Sequence, residues 1–370
     1  MSELHDRDAA GTTRAGTPRL IGLDVTRAIA LIGVVTMNYC GALLDSNGDA
    51  SIDRLLDPYT GILSTRFAAT FVVIAGIGAT LMTRRGTDEA TRRDAAWRLL
   101  RRGLLLYAGG FALNWVWPGT ILFYYGAYFV IAALLFRLST RWLGIIAVAS
   151  ATIATSVRTW IEWRAENGPF PEWAYTAEVS GFRDLAVRTF IDYTHPVFPW
   201  LAFFCSGMIL GRHLELVRRR SRRLVLGALA VSTATYLAAT FIDRSSLRDG
   251  IVGWNLTSMQ PFQQSLLYVI STLSIALLAF TVVSRVAEAH TDHPVIVALR
   301  RTGQLTLSLY LLHVLAYYAV VEWSGVAVEG TGSVLAFAAT FWILAVMVGS
   351  WWHHRIGEGP AERLYRAFGG

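Results

Sequence analysis

The feature that most constrains this chain is that its apolar residues arrive in blocks of about 18–22, the length a helix needs to cross ~30 Å of hydrocarbon. Ten candidate spans can be marked, at about 20–43, 64–83, 103–118, 119–137, 142–161, 196–212, 223–242, 264–284, 304–323 and 333–352. The short alternating segments of a transmembrane β-barrel are not seen. Composition agrees. The chain is 54% hydrophobic and only 16% charged, where a soluble globular chain runs nearer about 25% charged. This disfavours a cytosolic enzyme, a disordered tail and a disulfide scaffold. The predicted fold is all-α, a polytopic transmembrane helix bundle of about ten spans.

Charge sets the expected orientation. Every one of the 33 basic residues is Arg, and the formal net charge is +7. With an inside N-terminus, 24 arginines fall in cytoplasmic segments and 8 in external ones, with Arg27 inside the first span. That bias is a positive-inside signal and puts both termini in the cytoplasm. The inner face is then near +13 and the outer near −6. In a membrane chain such charge reports topology rather than nucleic acid, which is not an expected partner. Residues 1–19 lack an apolar core and a cleavage site, so they read as a disordered cytoplasmic tail. The expected organisation is this tail, a membrane domain over 20–352 and a second cytoplasmic tail over 353–370. The external segment 162–195, rich in aromatics, reads as a candidate lid or an interfacial anchor. Trp117-Pro118-Gly119 reads as a tight turn with an interfacial aromatic. Cys40 and Cys205 lie in apolar segments and read as small core residues.

The informative residues are the polar ones that hydrocarbon penalises. In the first span, Arg27 and Asn38 are eleven positions apart and share one helix face, roughly 16 Å apart along the axis. Asp24 sits one turn before Arg27 and can pair with it; alternatively Asp24 complements the helix N-terminus and Arg27 snorkels to headgroups. The ninth span carries a stripe of Thr306, Tyr310, His313 and Tyr317. His313 is a candidate proton shuttle, base or substrate contact, or a packed histidine. His195 opens the sixth span as a candidate base at the outer mouth or a helix-start residue. No Cys/His metal spacing, nucleophile elbow or phosphate loop appears, and no metal is expected.

Asp24, Arg27, Ala28 and Asn38, with Tyr39 following, resemble the opening helix of the integral-membrane acyltransferase superfamily. That group includes the heparan-α-glucosaminide N-acetyltransferases and the bacterial YeiB-like proteins. The stretches 66–85 and 100–135, HPVFPWLAFFCSGMILGR and RRTGQLTLSLYLLHVL resemble the bacterial branch. The heparan-type enzymes carry a catalytic His in the first external loop. Here that loop has no His, and its titratable acids are Asp45, Asp49, Asp53 and Asp57.

The resemblance implies acyl transfer, usually of acetyl, from cytoplasmic acetyl-CoA or another acyl-CoA to an extracytoplasmic acceptor such as an amino sugar or other cell-envelope glycan. It implies a bacterial inner or plasma membrane. His313 or His195 would act as base, with Asn38 as a positioning or oxyanion group. Arg27, Arg84, Arg85, Arg101, Arg102, Arg300 and Arg301 would meet the CoA phosphates. Asp24, Tyr39, Asp45, Asp49, Tyr310 and Tyr317 would position substrate. A small-solute transporter and a degenerate acyltransferase-fold binding protein remain open, as does the oligomeric state, a homodimer included.

Overall fold

The computed structural model describes residues 20–44, 51–84, 88–175, 178–243 and 250–370. Among these, all regular structure is helical. In chain order the helices are α1 Ile21–Leu43, α2 Ser51–Leu56, α3 Arg66–Thr83, α4 Glu89–Val116, α5 Leu122–Leu135 and α6 Thr140–Asn167. There follow α7 Phe182–Phe190, α8 Val197–Arg212, α9 Leu214–Arg219, α10 Ser221–Asp243, α11 Ile251–Thr257 and α12 Leu266–Ala289. The last are α13 Pro294–Gly303, α14 Thr306–Tyr317, α15 Gly330–Arg355 and α16 Pro360–Gly369. A π-helical turn, Tyr318–Trp323, continues α14.

Seven of these segments are long and apolar enough to cross a membrane, and α5 and α8 are shorter apolar helices. The chain is a multi-pass membrane protein. α4 differs in kind. Its first half is arginine-rich and capped by Asp88, whose side chain accepts from the Thr91 amide, and its second half is apolar. The first half complements a polar boundary, and the second enters the bundle.

The core gathers on α1, α3, α5 and α8, whose small residues let backbones approach closely. A side-chain carbon on Gly207 would collide with the Val73 carbonyl, and one on Gly76 with the Phe204 carbonyl. Gly103 and Gly110 on α4 meet the backbone of α5 in the same way. α10 lies at the opposite extreme, with only 6% of its apolar window buried. It packs lengthwise on α12, and the apolar surface it leaves uncovered suits lipid.

Two regions depart from expectation. Trp117 is buried, not interfacial, as are Thr120 and Ile121. The turn between α4 and α5 therefore buries one side, Trp117, Thr120 and Ile121, and leaves Pro118 exposed. Its Thr120 hydroxyl and Ile121 amide are within hydrogen-bonding distance of the Tyr310 hydroxyl, at 2.9 and 3.3 Å. Irregular backbone is tolerated at such a place because its polar groups find partners there. Residues 360–369, expected as part of a tail, form α16, which packs on α4 and α14. The expected tail over 1–19 lies outside the described residues.

Gly207→Val is expected to destabilise the protein by at least about 1–3 kcal/mol, because a clash with a backbone carbonyl cannot be relieved by a rotamer change. Gly109→Ala, whose new methyl meets open space, is expected to be neutral or stabilising by about 0.5–1 kcal/mol. Thermal unfolding of the detergent-solubilised protein measures both.

Candidate active site

α1 carries Asp24 and Arg27 near one end and Asn38 near the other, and each end lines a separate cavity. Named after the orientation that the arginine distribution predicts, the outer cavity, about 400 Å³, is lined by Asn38, Trp117, His195, Tyr310, Tyr317 and Glu322 among others. The inner cavity, about 350 Å³, is lined by Asp24, Arg27, Arg102, Tyr125, Gln304 and Tyr310, with Glu362, Tyr365 and Arg366 from α16. Ile121 and Tyr310 line both. The partition between the cavities is thus one tyrosine ring and the turn it is bonded to.

His313 stands behind this partition. It is fully buried and lines neither cavity. Its Nδ1 hydrogen-bonds the Tyr310 carbonyl. A carbonyl can only accept, so Nδ1 carries the proton and Nε2 is the acceptor. Asn38 Nδ2 lies 3.2 Å from that Nε2 and donates to it. The Tyr39 hydroxyl donates to the His313 carbonyl at 2.9 Å, and the Trp117 ring packs edge-on against the imidazole at 5.4 Å. Both nitrogens of His313 are therefore occupied, Nδ1 by the Tyr310 carbonyl and Nε2 by Asn38. The Asn38 side chain also meets the Tyr310 hydroxyl and lines the outer cavity. Tyr39, expected at the substrate, is buried beneath it instead.

His195 is placed differently. It lines the outer cavity, its ring packs on Trp200 at 4.5 Å, and its Nδ1 is buried without a hydrogen-bond partner. Its carbonyl accepts from the Tyr128 hydroxyl at 2.6 Å, which fixes the backbone. Of the segment 162–195, Thr194 and His195 reach this cavity, whereas Phe170, Trp173 and Tyr175 are exposed. On α7, Asp184 accepts hydrogen bonds from the Ser180 hydroxyl and amide and from Arg183, which hold its carboxyl down at about 2.

The π-helical turn explains the opposite wall. Tyr317 and Glu322 are five residues apart, which would put them on different faces of a regular α-helix. The wider turn brings them together, and the Tyr317 hydroxyl donates to Glu322 at 3.0 Å. The Tyr318 hydroxyl donates to the Val116 carbonyl at 2.8 Å and clamps the turn to the end of α4. Glu322 is the acidic residue of this cavity among the described residues. A five-residue spacing has no place in a 3.6-residue pattern, so sequence reasoning missed it.

The arginines expected at the CoA phosphates are not gathered at one cavity. Arg27 and Arg102 line the inner cavity. Arg84 and Arg101 are exposed and line neither cavity. Arg300 and Arg301 border a separate recess with His353 and His354. Facing directions on α3, α4 and α13 cause the separation, since residues adjacent in sequence sit about 100° apart on a helix. Asp45, Asp49 and Arg85 lie outside the described residues.

Asp24 and Arg27 are 3.8 Å apart, and Asp24 also accepts from Gln304 at 2.9 Å. Arg102 stacks over the Tyr365 ring at 4.9 Å. Glu362 accepts from the Leu307 and Ser308 amides at 2.7 and 3.1 Å and from the Ser308 hydroxyl. A carboxylate at a helix N-terminus is favourable, so α16 caps α14 and closes the inner cavity in one contact.

A profile of the heparan-alpha-glucosaminide N-acetyltransferase catalytic domain matches residues 19–248. The chain belongs to this family. A second profile, of a family described only as protein of unknown function DUF418, matches residues 210–369. No curated protein matches the chain. The family's match covers α1 through α10, and so Asn38, Arg27, the 117–121 turn and His195. Tyr310, His313 and α16 fall in the part matched by the second profile. The chain is thus a membrane acyltransferase whose cavities are built jointly by both matched regions.

Glu362→Ala removes the acceptor for two helix-terminal amides and is expected to lower stability by about 1–2 kcal/mol. Glu362→Gln keeps an acceptor oxygen and is expected to cost about half as much. Thermal unfolding with and without acetyl-CoA measures the pair.

Proposed function

We propose that this protein moves an acetyl group from cytoplasmic acetyl-CoA, entering the inner cavity, to an amino or hydroxyl group of an extracytoplasmic glycan in the outer cavity. The observation that carries this reading is that two cavities from opposite ends of α1 share Tyr310 and Ile121. Arginine distribution supports the inner cavity as cytoplasmic, with ten spans and both termini inside. The family supplies acetyl-CoA as donor.

The inner residues suit that donor. Its 350 Å³ is far less than a whole acetyl-CoA occupies, so the thioester and part of the pantetheine arm enter, and the nucleotide stays at the basic rim. The Tyr125 hydroxyl and Gln304 Oε1 are buried without partners and match the amides of that arm. Arg27 and Arg102 supply positive charge beside them.

The outer residues suit a sugar. Aromatic faces (Tyr59, Trp117, Tyr318) alternate with hydrogen-bonding groups (Asn38, Tyr310, Tyr317). His195 lines this cavity with its Nδ1 buried, and its other ring nitrogen takes the proton of the attacking amine or hydroxyl. The acceptor's lone pair bonds the thioester carbon, the paired Asn38 and Tyr310 side chains steady the developing oxyanion, and the C–S bond breaks. The CoA thiolate leaves toward the inner cavity and takes a proton from water there. His313 acts through Asn38 and is a positioning residue.

The test is acetyl transfer from labelled acetyl-CoA to glucosamine and to envelope glycan extract by purified protein. His195→Ala is expected to lower kcat by about 10²–10⁴-fold. His313→Ala is expected to lower kcat with little change in KM for acetyl-CoA, and His313→Gln to recover part of the loss. Arg102→Ala should raise KM for acetyl-CoA more than Arg101→Ala does, and more steeply at low salt. Wild-type protein that neither binds acetyl-CoA nor transfers label contradicts the reading, and full activity of His195→Ala removes that residue as the base.

A further inference from the structure

Four basic side chains lie together away from both cavities. Arg300 and Arg301, in the last turn of α13, and His353 and His354, near the end of α15, line a recess of about 300 Å³ with Val297. No acidic residue lines it among the described residues. The acids of neighbouring segments are engaged elsewhere. Asp24 holds Gln304 and faces Arg27, Glu358 pairs with Arg366, and Glu362 caps α14. No ion pair is formed by Arg300 or Arg301 among the described residues.

Charges of one sign brought together around a concavity repel one another, and the arrangement costs free energy unless an anion offsets it. Surface arginines that serve only to orient a membrane chain need no such convergence, since spread along a loop they give the same positive-inside signal. The residue types are also those that bind phosphate: two guanidinium forks with parallel N–H groups, and two imidazoles able to donate. Two arginines at a helix C-terminus also complement the helix dipole, but that accounts for neither the two histidines nor the recess.

The geometry points to a second anion site at Arg300, Arg301, His353 and His354, separate from the inner cavity, that takes a phosphate group. Two sources present that chemistry on the cytoplasmic side: the headgroup of an anionic phospholipid and a soluble phosphate ester. The site has a route to the donor cavity. Gln304 follows α13 directly and holds Asp24 on α1 at 2.9 Å. Gly303 lies so close to the Asp24 backbone that a side-chain carbon there would collide with it. A phosphate that steadies the end of α13 therefore steadies two residues lining the inner cavity.

The test uses full-length protein in zwitterionic detergent, with thermal unfolding followed during separate titrations of inorganic phosphate, adenosine 3′,5′-bisphosphate and dihexanoyl phosphatidylglycerol. Saturable stabilisation is expected from at least one probe. It should weaken by at least about tenfold in apparent affinity in R300A/R301A, and independently in H353N/H354N, while Arg102→Ala retains it. Stabilisation by phosphatidylglycerol alone assigns the site to lipid, and stabilisation by the bisphosphate assigns it to a soluble ester. The inference is overturned if no probe stabilises wild type, if both double variants bind as wild type does, or if Arg102→Ala alone abolishes the effect. These readouts need no acetyl transfer, so they stand or fall apart from the proposed activity.

Discussion

The hydrogen bonds of the Tyr310 side chain are what the rest of the site depends on. A tyrosine hydroxyl held by both Thr120 and the Ile121 amide draws one side of an irregular turn into the interior of a helical bundle. Without those bonds, the buried Thr120 hydroxyl and Ile121 amide would lose their shared partner, at a cost of about 1–3 kcal/mol each. With them, the turn serves as a wall. It shortens α5 to the stretch beyond residue 121, brings Trp117 against His313 and separates two cavities by little more than one ring. The carbonyl of the same tyrosine fixes His313, which in turn fixes Asn38. Networks of this kind gain from low local dielectric and are costly when broken, which suits a site that must hold its shape between two chambers.

The proposed chemistry follows from how the two histidines differ. His313 has both ring nitrogens committed and no face on a cavity, so it orients a neighbour. His195 lines the chamber where an acceptor would sit, with Nδ1 buried and the other ring nitrogen left for the ligand. Distance from the centre of the membrane is a poor guide to which histidine reacts. Hydrogen-bond bookkeeping is a better one, because a base must keep a lone pair available.

Much of this was legible in the chain. Asp24, Arg27, Asn38, Tyr310, His313 and Tyr317 stand out because hydrocarbon penalises polar groups, and five of these six line a cavity. Helical periodicity placed Arg27 and Asn38 on one face, and they fall in separate cavities toward the two ends of α1. The missed parts share a cause: they depend on contacts that sequence spacing does not encode. Glu362 meets Leu307 and Ser308 only because α16 folds back beneath the bundle. Glu322 joins Tyr317 only because the helix widens to a π-turn. The arginines were read as one group because they share a side of the membrane, yet the helices that carry them point them toward solvent, a cavity and a separate recess. Trp117 resembled an interfacial anchor because a Trp-Pro-Gly turn usually sits at a boundary, and only the Tyr310 bonds explain why this one does not.

The central claim is that donor and acceptor occupy opposite chambers and react across the Tyr310 partition. Proteoliposomes test it most directly, with the protein in one orientation, glucosamine trapped in the lumen and labelled acetyl-CoA supplied only outside. The account predicts labelled N-acetylglucosamine inside vesicles whose protein presents the inner cavity to the donor, with no acetyl-CoA crossing the bilayer. Product that forms only when donor and acceptor share one compartment would contradict it.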